Sequence, residues 1–152
     1  MPTKLCALVV GCIYLFFGIS GLVPSLVHRP PPFWFYQQMP MLGGLGYVLG
    51  WLPANLVHNI VYIILGGGGI LLAVTFRSAI RYCQAMCAIG ILFTFCGLLP
   101  RANYLGGPIP LFSWNVMVHA ITAMVAYYFG IIYPLDMGGP PMEEGNLPGG
   151  AV

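Results

Sequence analysis

Residues 53–76 read PANLVHNIVYIILGGGGILLAVTF. This run has no charged residue, and its apolar positions are continuous rather than alternating, which is typical of a helix inside a bilayer. Its length exceeds the ~20 residues that cross a hydrocarbon core of ~30 Å. We therefore predict a transmembrane helix over 53–76. Pro53 falls in its first turn, where the missing N–H costs nothing.

Three more runs share this character, at residues 5–27, 80–99 and 114–133. The chain is 59% hydrophobic and only 5% charged, whereas soluble domains carry about 25% charged residues. Lipid is therefore the expected solvent, and a bilayer admits only helices or a closed barrel. We predict an all-α, four-transmembrane-helix bundle that occupies residues 1–133.

Two segments do not fit a membrane span. Residues 41–52 form an apolar run that is too short and too rich in Gly to cross, so we expect an interfacial or re-entrant segment. Residues 134–152 are rich in Gly and Pro and have almost no apolar content. Such a composition cannot bury enough surface to fold alone, which predicts a flexible tail.

The orientation depends on five cations. Four spans place both termini on one side together with Lys4, Arg77 and Arg81, and leave Arg29 and Arg101 on the other. The positive-inside rule then favours cytoplasmic termini by one residue. We expect a multi-pass protein of a bacterial inner membrane or a thylakoid-like membrane.

The chain repeats a pattern. Residues 21–24 (GLVP) and 97–100 (GLLP) each end an apolar run, and an Arg-bearing loop rich in Pro and aromatic residues follows each. Each loop leads into a helix that opens with Asn and His, which are Asn55 and His58 in the first copy and residues 115–119 (NVMVH) in the second. The repeat favours two tandem helical hairpins related by an axis along the membrane normal. The alternative is that all membrane-helix entries look alike.

Small residues recur at a spacing of three to four on every predicted helix. In lipid, close backbone approach through such faces supplies the attraction between helices. On the first helix, Tyr14 interrupts this face. The small residues on the predicted helices are Ala7, Gly11, Gly18, Gly21, Ser25, Gly66, Gly69, Ala73, Cys83, Cys87, Gly90, Thr94, Gly97, Ala123, Ala126 and Gly130.

Two motifs carry a family resemblance. The first helix contains G-x-x-x-L-x-x-G-x-x-G-[LF]-x-P from Gly11 to Pro24, and the second opens with N-x-x-H-N-x-x-[HY]-x-x-x-G from Asn55 to Gly66. This pattern resembles an uncharacterised bacterial family of four-helix integral membrane proteins, catalogued as a domain of unknown function. The resemblance implies the fold and leaves the activity open. Family members often carry a second His where this chain has Tyr62. The other matching positions are Gly18, Gly21, His58, Asn59, Arg81, Tyr82, Gly90, Gly97 and His119.

The candidate site is the group of polar residues at the two helix entries. His58 and His119 each lie five residues after the predicted helix starts, at matching depth on one side. Intramembrane ionisable groups usually face the bundle and mark a function. The pair could ligate haem iron, bind chlorophyll magnesium or hold a quinone head group; alternatively, each His hydrogen-bonds across helices and only fixes their packing. The identity of the cofactor stays open, and we predict no separate metal site. The candidate cofactor-binding residues are Asn55, His58, Asn59, Tyr62, Asn115 and His119.

No enzyme motif is present. The three acidic residues all lie at or after position 136, and no C-x-x-C occurs. We expect no catalysis and no nucleic-acid binding, and predict a non-catalytic structural, assembly or accessory subunit of a larger membrane complex. Contiguous aromatic side chains favour docking onto a partner. The predicted partners are lipid and other membrane proteins, the latter through the aromatic loop of Phe33, Trp34, Phe35 and Tyr36.

Overall fold

The computed structural model describes residues 2–29, 44–103 and 108–137. Within these residues the chain is mostly helical. By length and composition, three helices are long and apolar enough to cross a membrane, and a fourth apolar helix is shorter, at 17 residues. The long ones are α1 (Pro2–Ser20), α3 (Phe76–Leu98) and α4 (Trp114–Asp136), and the shorter one is α2 (Leu56–Leu72).

Helices α1 and α2 pack as an antiparallel hairpin along a glycine seam. A Cβ on Gly11 would come within 2.8–3.0 Å of the backbone of residues 66–70. A Cβ on Gly18 would come within 2.9 Å of the Asn59 carbonyl oxygen. The contacted residue number falls from 66–70 to 59 as the number on α1 rises, so the helices run in opposite directions. The absent side chains allow the backbones to touch, which is how helices associate in lipid.

Helices α3 and α4 form a second antiparallel hairpin with the same kind of contact. Gly90 lies against the His119 carbonyl, where an added Cβ would be 2.9 Å from the oxygen. At the other end of the pair, a Cβ on Gly130 would be 2.8 Å from the Cβ of Cys83. Most of the small residues predicted to face other helices are indeed buried; Ser25 is exposed and lies beyond the end of α1.

The two hairpins are joined mainly through α1. Near one end, Thr3 Oγ1 donates a hydrogen bond to the Phe129 carbonyl at 3.1 Å. One turn further along, the Cys6 and Cys83 sulfur atoms are 3.9 Å apart. The Tyr82 hydroxyl donates to the Leu65 carbonyl at 3.2 Å and links α3 to α2. Two of these three contacts come from α1, which is therefore the main contact of the first hairpin with the second.

A small antiparallel sheet closes the opposite end of the bundle. Its strands are β1 (Val27–His28), β2 (Gly46–Val48) and β3 (Leu52–Ala54), in the order β1-β2-β3. Val48 and Leu52 form a cross-strand pair and are both 1% exposed. The sheet therefore packs its apolar side chains against the helices, and the fold is not purely α-helical as predicted.

Helix α2 is shorter at both ends than the predicted span of about 53–76. Pro53 lies in β3, opposite Tyr47, and not in the first turn of the helix. The helix begins after Asn55, whose Oδ1 accepts a hydrogen bond from the His58 N–H at 2.8 Å. Asn is among the best N-cap residues because its side chain satisfies an otherwise unpaired N–H of the first turn. This cap, rather than Pro53, sets the start.

The other helix bounds also differ from the prediction. Helix α1 ends at Ser20 and not at residue 27, because a 3-10 turn (Pro24–Leu26) and β1 follow it. Helix α3 begins at Phe76 rather than at residue 80, because Thr75 and Ser78 form a reciprocal capping box. Residues 44–52, the described part of the run that was predicted to be interfacial or re-entrant, form β2, a turn and the start of β3.

Helix α4 continues three residues past its predicted end through a π-helical segment, Tyr128–Ile132. Pro134, just after this segment, has no N–H to donate. From α3, Gln84 Nε2 donates to the Gly130 carbonyl oxygen at 3.1 Å. The rest of the predicted tail and the aromatic loop of residues 33–36 lie outside the described residues.

Ser113, which precedes α4, has φ 61° and ψ −133° and makes no side-chain capping bond. Non-glycine residues in such conformations carry about 1–3 kcal/mol of strain. Ser113→Gly is therefore expected to stabilise the protein by about 1 kcal/mol, measured by equilibrium unfolding in mixed micelles. Ser113→Ala removes the same hydroxyl but keeps a Cβ, so the backbone strain stays. An equal gain in stability in the Ala variant would contradict the assignment of strain to Ser113.

Candidate functional site

The polar residues of the two helix entries meet where the bundle faces the sheet. His58 lies in the first turn of α2, and His119 lies in the second turn of α4. Their ring centroids are 6.2 Å apart and the ring planes differ by 25°. His58 is 1% exposed and His119 is 0% exposed. The two imidazoles therefore lie beside each other in the protein interior.

Aromatic rings surround the histidine pair. Tyr62, one turn after His58 on α2, has its ring centroid 4.3 Å from the His58 ring at an angle of 83°. Phe93 on α3 lies 5.0 Å from the His119 ring. Tyr14 on α1 lies 4.7 Å from Tyr62 and 6.3 Å from His119. Helices α1, α2 and α3 therefore each contribute a ring to the enclosure.

The hydrogen bonds of Tyr14 determine the tautomer of His119. The Tyr14 hydroxyl donates to Thr122 Oγ1 at 3.2 Å, and its oxygen is also 3.2 Å from His119 Nδ1. A phenol has one proton to donate. With that proton directed at Thr122, the Tyr14 oxygen accepts from His119 Nδ1–H. In this arrangement Nε2 of His119 is unprotonated and presents a lone pair.

Three of the four imidazole nitrogens of the pair have no hydrogen-bond partner. They are Nδ1 and Nε2 of His58, and Nε2 of His119. A neutral imidazole has one donor and one acceptor, and an unpaired buried polar group costs about 1–3 kcal/mol. Such groups are rare enough that each calls for an explanation. The described residues include no cluster of three or more His, Cys, Asp or Glu that could hold a metal ion.

The two entry asparagines connect the hairpins reciprocally. Asn55, at the start of α2, donates from Nδ2 to the Pro108 carbonyl before α4, at 2.7 Å. Asn115, in the first turn of α4, donates from Nδ2 to the Pro53 carbonyl before α2, at 2.6 Å, and to the Pro110 carbonyl, also at 2.6 Å. We call this pair of cross-hairpin bonds the asparagine clamp. Each entry asparagine thus binds a carbonyl that precedes the entry helix of the other hairpin.

The six candidate residues fall into two groups. His58, Tyr62, Asn115 and His119 come together, with the Tyr62 hydroxyl donating to Asn115 Oδ1 at 3.4 Å. Asn59 is separate from this group. It lines a cavity of about 380 Å³ below the sheet, on the α1–α2 side of the bundle. Asn55 lines this cavity as well and also takes part in the clamp.

Three residues of the site were not among the predicted ones. Tyr14 had a visible signal, because it interrupts the small-residue face of α1 with a large polar side chain. Thr122 and Phe93 had none, because a Thr and a Phe in an apolar helix look like ordinary packing residues. The predicted alternative, in which both histidines are satisfied by hydrogen bonds across helices, holds only for Nδ1 of His119.

Tyr14→Phe removes the hydroxyl that lies between His119 and Thr122 and keeps the ring. We expect a loss of about 1–2 kcal/mol in unfolding free energy, because His119 Nδ1–H becomes a further unpaired buried donor. Equilibrium unfolding in mixed micelles measures this loss. Tyr127→Phe is the matched control, since Tyr127 is 48% exposed. Equal stabilities of the two variants would contradict the hydrogen-bond assignment.

Comparison with known proteins gives one match. No curated protein and no solved structure is significantly similar to the chain. One family model, described as a domain of unknown function (DUF4383), matches residues 4–132. That range contains all four helices up to the π-helical segment, the sheet, the asparagine clamp and both histidines. The chain therefore belongs to the DUF4383 family.

Proposed function

We propose that the protein is a multi-pass membrane protein in which all four helices cross the bilayer. Helix α2 has 17 residues and is ~25 Å long, somewhat less than a ~30 Å hydrocarbon core. It is only two residues shorter than α1, against which it packs along most of its length. Its outer face is apolar and exposed, with Ile64 67% and Leu71 74% accessible. Such a face is suited to lipid.

The proposed orientation places both termini in the cytoplasm of a bacterial cell, in the inner membrane or a thylakoid-like membrane. Lys4, Arg77 and Arg81 all lie at the end of the bundle opposite the sheet. Arg29 and Arg101 lie at the sheet end, next to β1 and after α3. The positive-inside rule favours the first end as cytoplasmic.

We further propose a non-catalytic structural or accessory role in a larger membrane complex. The asparagine clamp carries this proposal, because the amide groups of both Asn–His helix entries donate to carbonyls of the opposite hairpin, although Asn55 also lines the cavity below the sheet. The acidic residues of the chain start at Asp136, at the far end of α4 from the histidines. The polar entry motif thus supports assembly more directly than it supports a reaction.

Native electrophoresis of membranes solubilised in mild detergent tests the accessory role. We expect the chain to migrate with a complex several times its own 16.4 kDa. Replacing Phe33, Trp34, Phe35 and Tyr36 together with Ala is expected to release the chain from the complex without loss of folding. Phe95→Ala is the control, because Phe95 is 64% exposed on a helix outside that loop. Migration as a free monomer in unaltered membranes would contradict the role.

A second candidate function is ligand binding at the histidine pair. The three unpartnered imidazole nitrogens favour it. A haem or chlorophyll between the imidazoles would have to displace Tyr62 or Phe93, whose rings already contact the histidines; a quinone head group is smaller but needs the same enclosure to open. An absorption spectrum of the purified native protein tests whether haem or chlorophyll is bound. A Soret or red Qy band that disappears in His58→Ala would favour such a pigment over a small ligand. A colourless protein would exclude both pigments.

A further inference from the structure

We propose that His58 and His119 bind one monovalent d10 metal ion, Cu⁺ or its analogue Ag⁺, as a linear two-coordinate centre. This inference specifies the ligand of the second candidate function and is independent of the accessory role. Metal binding is measured on the isolated chain, whereas the accessory role is measured in native membranes. Failure of one is thus distinguishable from failure of the other.

The number of ligands selects the metal. Zn²⁺ sites use four ligands, or three and a water, and Mg²⁺ and Ca²⁺ sites use six or more oxygen atoms. The described residues offer no set of three His, Cys, Asp or Glu side chains. Two imidazoles are enough only for an ion that is stable with two ligands, and the closed-shell ions Cu⁺ and Ag⁺ meet this condition. Imidazole is also a suitable ligand for copper.

The tautomer of His119 prepares a ligand nitrogen. Because the Tyr14 oxygen accepts from Nδ1–H, the lone pair of His119 lies on Nε2, which has no partner. Metal-binding histidines almost always donate their other N–H in this way, which fixes the orientation of the ring. In this role Tyr14 is a positioning residue for His119. His58 has both nitrogens free, so either of its tautomers presents a lone pair.

The separation of the rings fits a single bridging ion. A metal–nitrogen distance of about 2 Å on each side, with about 1.1 Å from each nitrogen to its ring centre, gives about 6.2 Å between centroids. The observed separation is 6.2 Å, with ring planes 25° apart. A direct hydrogen bond between the imidazoles would bring the centroids closer than this. At this centroid separation, one ion fits between the rings if a nitrogen of each ring lies on the line that joins the two centroids.

The surroundings favour a singly charged, weakly hydrated ion. Burial of an ion in an apolar interior costs less for a smaller charge, because the Born term grows with the square of the charge. Among the described residues the one carboxylate is that of Asp136, 17 residues after His119 along α4 and therefore ~25 Å away. The rings of Tyr62 and Phe93 make edge-type contacts with the histidines, so the surroundings are aromatic and weakly polar.

Cysteines are the competing ligands and must be removed from the test. Cys6 and Cys83, with sulfur atoms 3.9 Å apart, would themselves hold Cu⁺. The binding assay therefore uses a cysteine-free chain, with Ala at residues 6, 12, 83, 87 and 96. The detergent-purified protein competes for Cu⁺ with a chromophoric chelator, and X-ray absorption then identifies the ligand atoms. The same absorption measurement on the chain with its cysteines intact gives a check that does not depend on the five substitutions.

We expect one Cu⁺ per cysteine-free chain with two nitrogen ligands. His58→Ala and His119→Ala are each expected to weaken binding at least about 100-fold, and Tyr14→Phe about 10-fold, the range seen when residues that orient a ligand are removed. His28→Ala is the control and is expected to bind as the parent does. If an Ala variant does not fold, the same histidine is replaced with Asn. No Cu⁺ or Ag⁺ bound by the folded cysteine-free chain, or binding that survives both histidine changes, would overturn the proposal and assign the unpartnered nitrogens to buried water.

Discussion

Gly66→Ala is expected to lower the free energy of unfolding by about 3 kcal/mol, at the upper end of the range for overpacked cores. The added Cβ would meet the Leu15 amide and lie 2.7 Å from the Gly11 carbonyl oxygen. These are backbone atoms, which cannot rotate away as a side chain does. The two helices must therefore separate, and the loss of close backbone contact along their seam removes much of what holds a hairpin together in lipid.

The neighbouring glycine provides a matched control for this prediction. An added Cβ on Gly67 meets nothing within 4 Å, although Gly67 is adjacent in sequence and in the same helix. Gly67→Ala should stabilise the protein by up to ~1 kcal/mol, because Ala favours the helix over Gly by that amount. Both variants are measured by equilibrium unfolding in mixed micelles. If the two substitutions have similar effects, the α1–α2 seam is not where the structure places it.

Asn115→Asp is expected to be as damaging as Asn115→Ala, with each costing about 2–4 kcal/mol. The Ala variant leaves the carbonyls of Pro53 and Pro110 without the donor they share, and each unpaired buried group costs about 1–3 kcal/mol. The Asp variant keeps the size and shape of Asn but presents an oxygen to two carbonyl oxygens. If the Asn115 side chain only filled space, Asp would be tolerated at this position. If the side chain is needed as a hydrogen-bond donor, Asp is not tolerated.

Thr94→Ala is the reference for this pair of variants. Thr94 Oγ1 donates to the Gly90 carbonyl within α3, and this carbonyl belongs to the same helix rather than the opposite hairpin. Its loss should cost ~0.6 kcal/mol, the average for a side-chain hydrogen bond in a membrane protein. An Asn115→Asp protein as stable as Thr94→Ala would contradict the asparagine clamp.

The positions of the helices were predictable because lipid selects long apolar runs whatever their tertiary contacts. Their ends were less predictable. Pro53 is an acceptable first helical residue, and nothing in local sequence shows that strand pairing with Tyr47 takes it into β3. Asn55 is a good N-cap residue, but Pro53 is equally compatible with a helix start two residues earlier. Likewise, the sheet pairs residues 27–28 with residues 47–48, and local patterns do not reveal such distant partners.

The matching depth of His58 and His119 was predictable, but the partners of their nitrogens were not. The repeated Asn and His indicated that His58 and His119 lie at similar depth, and the structure brings their rings together. Which nitrogens are paired depends on Tyr14, which comes from another helix 105 residues away from His119. The role of the asparagines was also not visible, because their partners are backbone carbonyls in loops. Backbone acceptors have no sequence signature.

The most direct test of the account is whether α2 crosses the membrane. Two membrane-spanning hairpins, with both histidines near the same side of the bilayer, require that it does. Single cysteines introduced in a cysteine-free chain at Lys4, Arg101 and Asp136 can be labelled in intact cells with a membrane-impermeant maleimide. Four spans predict that positions 4 and 136 behave alike and are protected in the proposed orientation, while position 101 is labelled. Labelling of only one of positions 4 and 136 would mean three spans and would contradict the bundle proposed for the membrane.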